Sequence, residues 1–254
     1  MAIDLRIRSA FTVSRVPSSV HLGIRTAGVL LGRGIEQLGR ALEAEFLALT
    51  EDQGSSVRGR SWTLPTGVES RLDRMCVALS WYERTYRDGC VMAASPLRDP
   101  ALCQVGDLLR VVPDEAVRDL QVQVRLAERA LGDLRDDVAQ QDCVSGPEFA
   151  GSSDVGGADG DLLVGDVLLE MKASSRPDFL SDQAIWQLAG YALLDYDDDL
   201  GIRSVALYQT RLGWCIRWPI EQFFHTLARQ QVSDLRAGFR RQLQCERDAR
   251  GSAV

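Results

Sequence analysis

Asp161, Glu170 and Lys172 are the residues of this chain whose types and spacing could do chemistry together. Lys172 is the one lysine among 29 lysines and arginines, and it stands two places after Glu170. In LLVGDVLLEMK, Leu162 to Lys172, two apolar runs of strand character flank Gly165 and Asp166. Glycine at the first turn position predicts a hairpin with a type II′ turn. In that register Val164 opposes Val167, Leu163 opposes Leu168, Leu162 opposes Leu169, and Asp161 opposes Glu170. Directly opposed like charges destabilise a sheet, so a cation between the two carboxylates is expected, a divalent metal ion being the simplest. Side chains alternate along a strand, which puts Lys172 on the face of Glu170 and Met171 on the other.

Oxygen-only ligands suit Mg²⁺ or Mn²⁺ better than zinc. A carboxylate-held ion beside an ammonium group suits phosphodiester hydrolysis, in which the ion activates water and the lysine orients that water or stabilises the pentavalent state. Arginine would serve poorly, being planar and unable to lose its proton. The same residues could instead form a surface ion-pair network, with Asp159 opposite Lys172 in that register.

The elements that must position these residues follow from periodicity and punctuation. Apolar residues at three and four spacing predict helices over 28–49, from about 69 to a C-cap at Gly89, and over a long segment after Pro113, where Asp114 and Glu115 lie near the positive end of the dipole. EDQGSSVRGR and SPLRDPALCQ read as loops. From Val144 to Asp161 glycine and serine interrupt any helix, and a strand-rich core begins. After the hairpin, a helix starts near Ser181 or Asp182, a second hairpin turns at Leu212 and Gly213, and a final helical segment starts at Glu221. No internal repeat is evident.

This pattern resembles the PD-(D/E)XK nuclease superfamily: an acidic residue, Asp161, on one strand, and Glu170-Met171-Lys172 on the next. Gln187-Leu-Ala-Gly-Tyr191 on the following helix looks like the QxxxY motif of the RecB-like branch, and Gln183, Gln187 and Tyr191 share one helix face. The resemblance covers roughly residues 140–220 and implies a restriction-endonuclease-like α/β fold, a central mixed sheet flanked by helices. It makes Asp161, Glu170 and the Met171 backbone carbonyl ligands of Mg²⁺ or Mn²⁺, Lys172 the catalytic lysine, and Gln187 and Tyr191 helpers that position the site and the nucleic acid. Many members carry a further acidic residue on an early helix. Glu36 is the candidate here, with Glu43 and Glu45 competing.

The implied activity is a Mg²⁺-dependent deoxyribonuclease acting on DNA, in DNA processing or antiviral defence, with a protein partner or homo-oligomer supplying specificity. The alternative is a non-catalytic nucleic-acid-binding or assembly module that keeps the fold. A helical partner-binding protein without DNA affinity is a further reading. The expected organisation is a mainly helical region over 1–140, the nuclease core over 141–220 and basic C-terminal helices over 221–254.

Composition bounds these readings. With 45% hydrophobic and 26% charged residues in 254, a globular fold with a sizeable core is expected. No apolar run reaches the length of a membrane helix, and the N-terminus lacks the pattern of a signal peptide, so a cytoplasmic protein with no membrane partner is expected. The charge of -7 is uneven: residues 203–254 hold 9 basic and 4 acidic groups, net +5. Phosphate contacts are therefore expected from Arg236, Arg240 and Arg241, although a solvated arginine-rich helix face would look the same. Six scattered cysteines read as buried free thiols, without the spacing of a zinc or iron–sulfur site. His21 and His225 accompany no nucleophile motif, and no P-loop is present.

Overall fold

The computed structural model describes residues 2–12, 16–52, 62–174 and 180–251. Most of the expected EDQGSSVRGR loop lies outside them. The chain divides into two units, Met1–Asp136 and Asp137–Val254. The division falls close to the expected boundary near 140, and the C-terminal helices belong to the second unit.

The described part of the first unit is helical: α1 Ala2–Phe11, α2 Ser18–Leu31, α3 Arg33–Asp52, α4 Thr66–Asp88, the short α5 Val105–Arg110 and α6 Asp114–Asp136. The single helix expected over 28–49 is two. Gly32 breaks it, its φ of +107° lying where other residues are strained. Helix α1 lies in the region expected to be mainly helical, ahead of the helices placed individually there. Its arginines are buried, and Arg6 Nε donates to Asp73 of α4 at 3.0 Å. Gly23 lets α2 lie against α4, since a Cβ there would stand 2.0 Å from the Tyr82 carbonyl oxygen. The expected C-cap at Gly89 forms, with φ +64°. Of the six cysteines expected to be buried, only Cys76 and Cys143 are; Cys90 and Cys103 are exposed in loops and Cys245 is exposed on the C-terminal helix.

The second unit is built on one five-stranded mixed sheet, ordered β1 Cys143–Ser145, β2 Leu162–Val164, β3 Val167–Lys172, β4 Ser204–Gln209 and β5 Trp214–Pro219. All neighbours are antiparallel except β3 and β4, which run parallel because α7, Asp182–Leu194, crosses between them. Helices α8 Ile220–Ala228 and α9 Val232–Gly251 complete it. The expected first hairpin forms in the expected register from Val164–Val167 to Leu162–Leu169. Gly165 has φ +57° while Asp166 does not enter the positive-φ region, which are the signs of a type II′ turn. The second hairpin differs: Gln209 opposes Trp214, so its loop is the four residues 210–213 rather than two, with Gly213 at φ +66°.

One face of this sheet meets the helices. Leu163, Leu168 and Val205 pack with Leu188, Ala189 and Ala192 of α7, Phe223 and Phe224 of α8 and Val232 of α9. Alternation along β3 then places Glu170 and Lys172 on this helix-covered face, beyond Leu168. Helix α7 begins as expected: Ser181 is its N-cap, and the serine hydroxyl accepts from the Ala184 N–H.

Candidate active site

β2 begins one residue too late for the expected pairing of Asp161 with Glu170, because the ladder stops at Leu162–Leu169. The Met171 N–H, which an extended β2 would have engaged, is taken by the Asp161 side chain, whose Oδ2 accepts at 2.6 Å. A buried N–H needs a partner, so this bond fixes the Asp161 carboxylate beside β3. The Thr210 N–H donates to the Lys172 carbonyl at 3.0 Å, so the backbone of Lys172 faces β4. Backbone groups alternate along a strand, and the N–H and carbonyl of Met171 therefore both point toward Asp161. Asp159 does not pair with Lys172; it forms an isolated bridge with Glu148.

Glu170 is 4% exposed, and its Oε1 accepts from Lys172 Nζ at 2.7 Å. A buried carboxylate needs such a partner, since desolvation alone would make it costly. The lysine also donates to Gln187 Oε1 at 2.6 Å, and Gln187 Nε2 donates to the Tyr191 hydroxyl at 2.7 Å. Lysine only donates, so it fixes the amide: oxygen toward Lys172, nitrogen toward Tyr191. The relay Glu170–Lys172–Gln187–Tyr191 thus links β3 to one face of α7.

Tyr191 stacks on Phe149, with ring centroids 5.4 Å apart and planes 17° off parallel. Burial pushes its hydroxyl up to about 12, and the charges of Glu170, Asp161 and Asp159 push in the same direction against the Gln187 hydrogen bond. The tyrosine therefore stays protonated beside Gln187.

The Asp161 carboxylate is held on the Met171 N–H and the Glu170 carboxylate on the Lys172 ammonium, so two carboxylates are fixed by successive residues of β3. Each carboxylate has about four lone-pair sites, so one hydrogen bond does not exhaust it, and the set fits a hard cation that completes its shell with water and phosphate. Among the described residues, no group of three or more histidine, cysteine, aspartate or glutamate side chains is arranged to hold a metal ion. Glu36 belongs to the helical unit, on α3, where its Oε1 accepts from Arg40 at 2.7 Å.

The arginines expected to meet phosphate have different fates. Arg236 is buried at 4% exposure, donating to the Ala192 carbonyl, to Asp198 at 2.7 Å and to Asp195 at 3.3 Å. The expectation of a surface phosphate contact fails for it, because its guanidinium ties α9 to the end of α7. Arg240 is exposed but is held by Asp197 at 2.9 Å and lies 5.2 Å over the Tyr196 ring. Arg241 is exposed. The acidic DYDDD segment after α7 thus offsets part of the positive charge read from the C-terminal sequence.

Phe149 and Gln209 were not anticipated. Gln209 is 1% exposed, opposite Lys172 on β4, and with its amide nitrogen turned inward it donates to the Lys172 carbonyl at 2.8 Å and that of Ser174 at 3.2 Å. The available signal was a polar residue closing an otherwise apolar strand, SVALYQ. Phe149 carried none, since its partner lies 42 residues away.

Among the described residues, no helix is long and apolar enough to cross a membrane. No family model, curated protein or solved structure matches the chain.

Proposed function

We propose that this protein is a metal-dependent nuclease that hydrolyses phosphodiester bonds in DNA, with a restriction-endonuclease-like core formed by β1 to β4 and α7. The observation that carries the reading is the relay from Glu170 through Lys172 and Gln187 to Tyr191, beside an Asp161 carboxylate anchored on the Met171 N–H. These are the residues the PD-(D/E)XK resemblance singles out, and a mixed sheet flanked by helices is the fold it implies.

Asp161, Glu170 and the Met171 carbonyl would hold Mg²⁺ or Mn²⁺, which when bound supplies charge neutralisation and an activated water. Lys172, 27% exposed at its side chain, presents its ammonium group where the scissile phosphate would lie and stabilises the charge that develops on it. Gln187 occupies one of its protons and fixes its direction, while Tyr191, kept neutral, holds the Gln187 amide.

The test is cleavage of linear, circular and single-stranded DNA with Mg²⁺ or Mn²⁺, wild type against Lys172→Ala. Metal-dependent cutting that the substitution abolishes is expected. Absence of cutting on every substrate with both ions overturns the reading in favour of a binding module.

A further inference from the structure

Two of the largest exposed apolar side chains in the sheet unit are tryptophans, Trp186 at 62% and Trp214 at 56% exposure. An exposed indole offers a large, rigid apolar face suited to stacking. Trp214 lies on the sheet row of the candidate lysine, and Trp186 lies on the helix that carries Gln187 and Tyr191. The register runs Lys172–Gln209–Trp214 across β3, β4 and β5, so Trp214 lies in the same cross-strand row as Lys172. Three strands in register also share the outward direction of that row, which sets Trp214 on the face of Lys172 at about two strand spacings, roughly 10 Å. Trp186 adjoins Gln187, which holds the lysine. Exposed Arg211 sits in the loop that leads into Trp214.

We infer that Trp214 and Trp186 form a stacking platform for unpaired bases, so that the strand delivered to Lys172 is single-stranded nucleic acid. The inference deepens the nuclease reading and rests on it for the site, not for the binding. An indole face accepts any unpaired base, whereas a paired base keeps its faces inside the duplex stack. A spacing of roughly 10 Å between Trp214 and Lys172 is on the order of one to two nucleotides of extended strand, since a strand rises about 3.4 Å per base when stacked and more when extended. The backbone of a strand whose bases rest on Trp214 would pass Arg211 and reach the lysine.

The experiment uses the full chain in EDTA, which prevents turnover, with a labelled twelve-residue oligothymidylate and a blunt duplex of equal length. Trp214→Ala should raise the Kd for the oligothymidylate about tenfold or more and leave the duplex Kd unchanged. Trp214→Phe should bind nearly as wild type, which separates lost stacking from lost folding. Trp186→Ala should weaken the same probe. Unchanged oligothymidylate affinity in Trp214→Ala, or equal losses on single strand and duplex, overturns the platform. Adding Mg²⁺ and Lys172→Ala separates the two ideas. Lysine-dependent cleavage with tryptophan-independent binding sinks the platform alone, and tryptophan-dependent binding without cleavage sinks the nuclease reading alone.

Discussion

Lys172 and Gln187 meet at 2.6 Å although they lie on different elements, a strand and the helix that crosses over it. The bond joins the lysine read as the catalytic group to the helix face read as its support. Its consequence is that the lysine's direction is set by two acceptors, Glu170 on its own strand and Gln187 above it.

Replacing the lysine should therefore disable the chemistry and, by leaving the buried Glu170 carboxylate without its cation, also lower stability. Lys172→Ala is expected to lower cleavage by about 10²- to 10³-fold, the loss typical of removing one preorganised charge-stabilising donor. Lys172→Arg should recover little of it, because a planar guanidinium cannot occupy the same position between Glu170 and Gln187. Single-turnover rates with Mg²⁺ and a denaturation curve for each variant check both halves.

Loosening the support should cost less. Tyr191→Phe keeps the stack on Phe149 but removes the acceptor for Gln187 Nε2, a loss of about 1 kcal/mol, or roughly fivefold in rate. Gln187→Ala frees one side of the lysine and should cost more than Tyr191→Phe. If the double variant is no worse than Gln187→Ala alone, the two act through one path to Lys172.

Alkaline titration offers an independent check on Tyr191. Its hydroxyl is raised from 10 to about 12, so the folded state holds that proton more tightly than the unfolded chain. The associated stability is complete below pH 10 and lost as pH rises from 10 to about 12. Tyr191→Phe should reduce the slope of unfolding free energy against pH in that window, measured by urea denaturation. Tyr196, also raised to about 12, remains and keeps part of the slope.

Arg236 is expected to behave as a structural residue. Arg236→Ala leaves Asp195, 1% exposed, without its buried cation and should destabilise the protein by about 3–5 kcal/mol. The salt dependence of DNA binding should not change. Arg241→Ala should leave stability within about 0.5 kcal/mol of wild type, as exposed substitutions do.

The features legible in the residues alone are those that short-range geometry dictates. The first hairpin and its register follow from Gly165 and the two apolar runs, the shared face of Glu170 and Lys172 from the two-residue repeat of a strand, and that of Gln187 and Tyr191 from the helical repeat. The start of α7 was legible in Ser181, because an N-cap is a local hydrogen bond. Where β2 begins, and hence that Asp161 reaches the Met171 N–H rather than lying opposite Glu170, was settled by contacts between distant parts of the chain. So were the landing of the α7 face carrying Gln187 on Lys172, the backing of Tyr191 by Phe149 and the burial of Arg236. Each of these depends on which surface the chain meets when it returns after tens of residues, and there packing and the pairing of buried charge outweigh the local preference that a sequence displays.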